Sequence, residues 1–334
     1  MNGLRVFMQI LEVKELRTYF NTPYGLVKAV DNVSFRLHKG EVLGIVGESG
    51  AGKSVTALSV LGLAPRLGAV VTGGEVRYAG KNLYDNQKLY RTVRGKSISL
   101  IPQEAGVALN PVLTVGRQMA EMYRYHLGLQ ATEARQAMIK LLLKVELPEP
   151  ELTLKLFPHQ LSGGTLQRVL LAMAISCNPD IIIADEPTSS LDVTVQAQVL
   201  GLIKNTVTRT GLAMILIAHD LGIISQYSDR VLVMYGGRVM ESGPANLVLL
   251  NPRHPYTRDL LQVYRVLDAG ALDDGPAKTA PHNPFKEIPG CVFAHRCSGV
   301  LGVCRTQRPE PADVGEGRVV ACHLNKEQTF GEFQ

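Results

Sequence analysis

Gly47-Glu-Ser-Gly-Ala-Gly-Lys53-Ser54 is the stretch whose reading decides the fold. It fits the pattern G-x-x-x-x-G-K-[ST] and stands between residues 41–46, apolar on both faces, and a helical segment from residue 53 to about 62. A strand apolar on both faces belongs in the middle of a covered sheet. Gly47, Gly50 and Gly52 let the backbone around Ser49 curl until successive N–H groups point at phosphate oxygens. The start of the helix adds its dipole. Lys53 is then placed to neutralise the β and γ phosphates, and the Ser54 hydroxyl to hold Mg²⁺. The pattern implies a nucleoside triphosphate site.

Working outward, residues 10–19 and 28–37 read as β segments, and residues 180–184, 212–218 and 230–235 as further strands. Helical stretches at residues 167–176 and 195–208 separate the central ones, which argues for an α/β sheet with a parallel core. Asp185 and Glu186 end one covered strand. A carboxylate there can meet Mg²⁺, and the next one can polarise an attacking water. His219 ends another, at the edge where open α/β sheets bind ligands. Position alone leaves a surface or capping histidine equally open.

Between residues 103 and 161 the periodicity becomes purely helical, predicting helices over 115–127 and 132–147. The second is capped at Thr132 and stopped by Pro148. Residues 268–290, with four prolines and three glycines, read as a linker. Of five cysteines, Cys291, Cys297, Cys304 and Cys322 lie in the last 44 residues, whereas Cys177 reads as a small core residue. Their C-x5-C-x6-C-x17-C spacing lacks the close pairs usual for zinc, and four thiolates suit a [4Fe-4S] cluster. Cluster, zinc and no metal all stay open on spacing alone, and His295 and His323 are substitute ligands or solvated neighbours.

The chain has 334 residues, 46% of them apolar and 19% charged, which excludes intrinsic disorder. Its net charge of +5 is spread thinly, the densest basic patch being residues 91–96, so no nucleic-acid arm is indicated. No apolar run approaches the ~18–20 residues of a bilayer crossing, and the first 15 residues lack a signal-peptide core.

Leu161-Ser162-Gly163-Gly164-Thr165-Leu166-Gln167 opens a helix, with Ser162 as its cap and two glycines baring N–H groups to an anion. One domain needs one γ-phosphate cradle, so the second suggests service to a nucleotide held by another copy. These motifs, in this order, resemble the ATP-binding cassette (ABC) ATPases, whose signature is LSGGxxQ. The resemblance implies a P-loop fold with a RecA-like core, an antiparallel β subdomain and an α-helical subdomain. It implies that Glu186 is the general base, His219 the switch histidine, Gln103 the sensor of γ-phosphate and Mg²⁺, and Tyr24 the adenine platform. It likewise places Ser162, Gly163, Gly164, Gln167 and Asp192, the last in a D-loop carrying Ser190 where alanine is commoner, against ATP in a head-to-tail pair of cassettes. Around Gln103 the sequence Ile101-Pro-Gln-Glu-Ala departs from the Phe-Gln-Asp-Pro of related importers.

His254-Pro255-Tyr256-Thr257 followed by a cysteine-bearing tail is similar to the oligopeptide/dipeptide (peptide/nickel) importer branch. That branch implies a nucleotide-binding domain over residues 1–250, with its helical subdomain at about 104–165. A helix and linker would fill 251–290, and a cysteine-rich extension 291–334. It also implies a related second cassette, two permease subunits, an extracytoplasmic binding protein, a place at the cytoplasmic face of the membrane, and a cluster at the tail cysteines. Cargo could be di- or oligopeptides, nickel chelates, oligosaccharides or opines. A soluble ABC ATPase acting on nucleic acid or the ribosome is the rival from another class.

Overall fold

The computed structural model describes residues 8–189, 191–268, 282–285 and 287–327. In chain order its strands are β1 (Gln9–Thr22), β2 (Gly25–His38), β3 (Val42–Val46), β4 (Ala69–Tyr78), β5 (Lys81–Asn82) and β6 (Ile98–Ile101). They continue with β7 (Ile181–Asp185), β8 (Ala213–Ile217), β9 (Arg230–Tyr235), β10 (Arg238–Pro244), β11 (Ala312–Asp313) and β12 (Val319–Val320). The chain divides into two compact units: Met1–Ile10, His38–Glu41 and Asp85–Ile217 form the first; Leu11–Leu37, Val42–Tyr84 and Ala218–Gln334 the second.

In the first unit β6, β7 and β8 run parallel, Ile181 pairing with both Ile98 and Ala213. Every residue of β7 and β8 is buried, as their unbroken Ile-rich sequences require of strands covered on both faces. Both helices expected between residues 103 and 161 form, as Val115–Leu127 and Ala131–Lys144. Thr114 caps the helix Val115–Leu127 by accepting from Arg117 N–H, and Gly128 ends it in the left-handed conformation. Val115, Met119 and Tyr123 form its buried stripe.

The next helix, Ala131–Lys144, differs from its sequence reading at both ends. Gln130, not Thr132, is the cap, because the Glu133 carboxylate reaches back to its N–H at 3.1 Å. The helix stops before Pro148, with Val145 as its C-cap and Glu146 turned to φ 60°.

In the second unit β2, β1, β4 and β5 make an antiparallel sheet, with β1 pairing β4 through an irregular register near Lys14–Thr18. The remaining strands pair in the order β11-β12-β10-β9-β3, with β3 and β9 parallel and β10 antiparallel to β9. β12 is a short strand from the cysteine-bearing tail, and Val320 opposite Glu241 stitches that tail to β10.

An ion pair fixes this join. Arg318 and Glu241 are 1% and 0% exposed and meet at 2.7 Å. Glu241 also accepts the N–H groups of Arg253 and His254, while Arg318 donates to the Asn251 carbonyl. A buried charge is tolerable only when it is paired and hydrogen-bonded, and here the pairing runs through one guanidinium nitrogen, since Arg318 Nε is buried without a hydrogen-bond partner. Replacing Arg318 with Ala strands the Glu241 carboxylate, so R318A is expected to lower stability by about 3–5 kcal/mol in denaturant titration. Among the described residues no helix is long and apolar enough to cross a membrane.

Candidate functional site

The candidate residues separate by unit, and the second unit holds the candidate phosphate loop, residues 47–54. Between β3 and the helix Lys53–Val60, Gly47, Gly50 and Gly52 all take positive φ. Two of them leave no room for a side chain. A Cβ on Gly47 would stand 2.1 Å from the Met234 carbonyl oxygen of β9, and one on Gly52 would stand 2.1 Å from that of Ala29 in β2. Gly237 N–H donates to the Ala51 carbonyl, closing the loop against the β9–β10 turn.

The Lys53 ammonium is buried and donates to the carbonyls of Gly47 (2.8 Å) and Glu48 (3.1 Å). Ser49 and Gly50 are exposed at the tip, and Ser54 is half-buried in the first turn of the helix. Tyr24 lies in the β1–β2 turn, 83% exposed, with its ring edge-on to Phe285 at 6.2 Å. A large aromatic left this bare is available for stacking. His219 is exposed just beyond β8, and Asp220 caps the following helix by accepting from Gly222 N–H.

The first unit holds the carboxylates. Asp185, the last residue of β7, is buried. Glu186 follows at φ 47°, a left-handed conformation that side-chain-bearing residues seldom adopt. Its N–H donates to the Ile217 carbonyl, and its carboxylate accepts from Gln103 Nε2 at 2.9 Å. Gln103 and Glu186, 83 residues apart, are thus brought together as a pair.

The same unit holds the Ser162–Gln167 segment. Ser162 caps its helix through Thr165 N–H. A Cβ on Gly164 would meet Val195 at 2.7 Å, and one on Gly163 would meet Leu191 at 3.1 Å. Asp192 is itself a cap, accepting from Val195 N–H at 3.0 Å. Gln167 is buried with its Nε2 lacking a hydrogen-bond partner, so its side chain is packed beneath the helix rather than bared with Ser162 and Gly163. Ser190 lies outside the described residues.

Two contacts had no sequence signal. The Tyr256 hydroxyl accepts the Glu48 N–H at 3.0 Å, and Arg296 pairs with the Glu48 carboxylate at 2.9 Å. Both join the tail to the phosphate loop.

The sequence matches the ABC transporter family over residues 30–189 and the C-terminal region of oligopeptide/dipeptide transporters over residues 240–304. It is 43% identical, over 96% of this chain and 98% of the relative, to the oligopeptide transport ATP-binding protein AppD of Bacillus subtilis (strain 168). The dipeptide transport ATP-binding protein DppD of the same organism is 43% identical over 96% of both chains. The chain belongs to the ABC transporter family, in its oligopeptide/dipeptide branch. Among solved structures, a dimeric post-hydrolysis state of the ATP-binding cassette MJ0796 bound to ADP and Pi covers 71% of this chain and 99% of its own. Its TM-score is 0.62 at 26% identity.

This ABC ATPase carries its four tail cysteines around one pocket, which His254 and Phe293 also line. Burial, then the neighbouring thiols, pushes Cys291 up to about 11, and burial raises Cys297 and Cys322 as well. Among the described residues no set of three or more His, Cys, Asp or Glu side chains forms a group that could hold a metal ion. The ligand set expected from the resemblance is therefore gathered around one pocket without being assembled as a metal site. Cys177 is buried beside Ser176, as a core residue should be.

Because Gly52 packs its backbone directly against that of Ala29, G52A is expected to weaken ATP binding about tenfold or more, read by titration calorimetry. The added Cβ cannot coexist with the Ala29 carbonyl in a backbone that only glycine adopts freely.

Proposed function

We propose that this ABC ATPase is the ATP-hydrolysing subunit of an importer for di- and oligopeptides, working at the cytoplasmic face of the membrane. The observation that carries the chemistry is the Gln103–Glu186 pair. A carboxylate carried on a left-handed backbone at a strand end and held at 2.9 Å by an amide is a base whose orientation is set before water arrives. In this reading Tyr24 stacks on adenine, the Gly47–Ser54 loop cradles the phosphates and Lys53 neutralises them. Glu186 accepts the proton of the attacking water, and His219 contacts the γ-phosphate. Ser54, Gln103 and Asp185 are hard oxygen donors suited to Mg²⁺, which supplies charge neutralisation on the phosphates when bound.

Ser162, Gly163, Gly164 and Asp192 serve ATP in the opposing cassette, a related subunit, with the buried Gln167 left to support their helix, and the pair drives two permease subunits fed by an extracytoplasmic binding protein. Support for the peptide cargo comes from the relatives' names and from the matched C-terminal region. The same reading divides the chain into a nucleotide-binding domain (1–250, helical subdomain about 104–165), a helix and linker (251–290) and an extension (291–334). Residues 269–281 of that linker lie outside the described residues.

Glu186→Gln keeps the shape and the Gln103 contact while removing the base. Turnover in the membrane-purified complex should fall about 10²- to 10⁴-fold with ATP binding retained. Undiminished hydrolysis contradicts the assignment.

Cys291, Cys297, Cys304 and Cys322 hold a [4Fe-4S] cluster in this reading, supported by the one pocket that all four line. Thiolate donors fit iron–sulfur chemistry and a reducing compartment. Anaerobically purified protein should be brown, with about four irons and four sulfides per chain. Colourless protein carrying stoichiometric zinc replaces the cluster with the zinc alternative.

A further inference from the structure

We propose that the chain beyond residue 250 is a working part of the nucleotide site, with Tyr256 and Arg296 acting as positioning residues that hold the phosphate loop ready for ATP. This rests on the reading of Gly47–Ser54 as the ATP loop. Glu48, the second residue of that loop, is held from three sides. Its N–H goes to the Tyr256 hydroxyl (3.0 Å), its carbonyl takes the Lys53 ammonium (3.1 Å), and its carboxylate pairs with Arg296 (2.9 Å). A backbone N–H directed to a tyrosine and a carboxylate directed to an arginine fix both the peptide plane and the side chain.

The groups that reach Glu48 are themselves rigidly mounted. Tyr256 is fully buried, with its ring 4.6 Å from Tyr235 and 5.3 Å from Phe293. Its own N–H donates to His254 Nδ1, and His254 N–H is anchored on Glu241. The His-Pro-Tyr segment therefore works as a bracket from β10 to the phosphate loop. The Arg296 guanidinium lies over the rings of Tyr235 and Phe293 at 5.7 and 5.6 Å, while His295 faces the Tyr235 hydroxyl at 3.4 Å. A planar guanidinium stacked this way keeps its fork aimed at the carboxylate.

The chain beyond residue 281 touches the same unit at further points along β2 and its turn. Phe285 backs Tyr24, Glu287 pairs with Lys28 at 2.8 Å, and Arg308 lies 3.6 Å from Asp31. These contacts run from the adenine platform to the phosphate loop. A loop ordered in advance loses less freedom on binding, so the clamp tightens ATP binding without taking part in hydrolysis.

The test is ATP affinity of the full-length chain by titration calorimetry, together with KM and kcat in the membrane complex. Tyr256→Phe keeps the ring packed and removes only the acceptor on Glu48 N–H. It should raise the ATP Kd and the KM about 3- to 10-fold, with kcat at saturating ATP held within about twofold. R296A should weaken binding comparably, R296K should restore part of it, and R296A combined with E48Q should lose no more than R296A alone.

Thermal midpoints without nucleotide identify any variant that is merely unfolded. Y256F binding ATP as tightly as the wild type, or losing kcat at unchanged KM, overturns the clamp. A wild-type chain that fails to bind ATP would instead overturn the phosphate-loop reading beneath it.

Discussion

Two carbonyl oxygens, those of Ala29 and Met234, stand where side chains of Gly52 and Gly47 would have to be. That close approach makes the phosphate loop a backbone object, gripped between β2 and β9 and capable of presenting N–H groups outward. Once it is imposed, the surrounding architecture has a reason. β3 is buried on both faces so that it delivers Gly47 at a fixed height. The β9–β10 turn places Gly237 N–H on the Ala51 carbonyl. Lys53, buried under the loop, stabilises its inward-facing carbonyls.

The tail extends the same logic. A segment joined through Val320 to β10 and locked by a buried Arg318–Glu241 pair is not a loose appendage. Glu241 joins three devices at once: it neutralises Arg318, caps the Arg253–His254 backbone, and so starts the helix that carries Tyr256 to Glu48. The cysteine pocket sits one residue from Arg296, which puts the proposed cluster and the phosphate loop on opposite ends of a short rigid path.

Much of this was legible in the sequence wherever the signal was local. Covered strands such as 181–185 and 213–217 are runs of Ile, Leu and Ala, and 115–127 shows clear helical spacing between a threonine cap and a glycine stop. β6 gives no clear sequence signal because it is four residues long and is followed at once by Pro102, and β4 gives none because Gly73 and Gly74 interrupt its alternation. Thr132 looked like a cap, yet Glu133 reaches Gln130 instead.

The Gly47–Ser54 loop stands between a buried strand and a helix, and Asp185 at a strand end, as the sequence predicts, because those signals are local. The Gln103–Glu186 contact was not readable, since nothing in either motif states their distance. Still less could the Tyr256 and Arg296 contacts be read: they lie 208 and 248 residues from Glu48, and although Tyr256 stands in the His-Pro-Tyr-Thr motif, nothing in that motif names its partner.

The most direct test of this account is amide hydrogen exchange at Glu48 in the nucleotide-free full-length chain. An N–H bonded to a buried, rigid phenol should already exchange orders of magnitude more slowly than an open loop amide, and ATP should add little further protection. Exchange at the rate of an unstructured loop, with protection arising only when ATP is added, would contradict a phosphate loop ordered in advance by the tail.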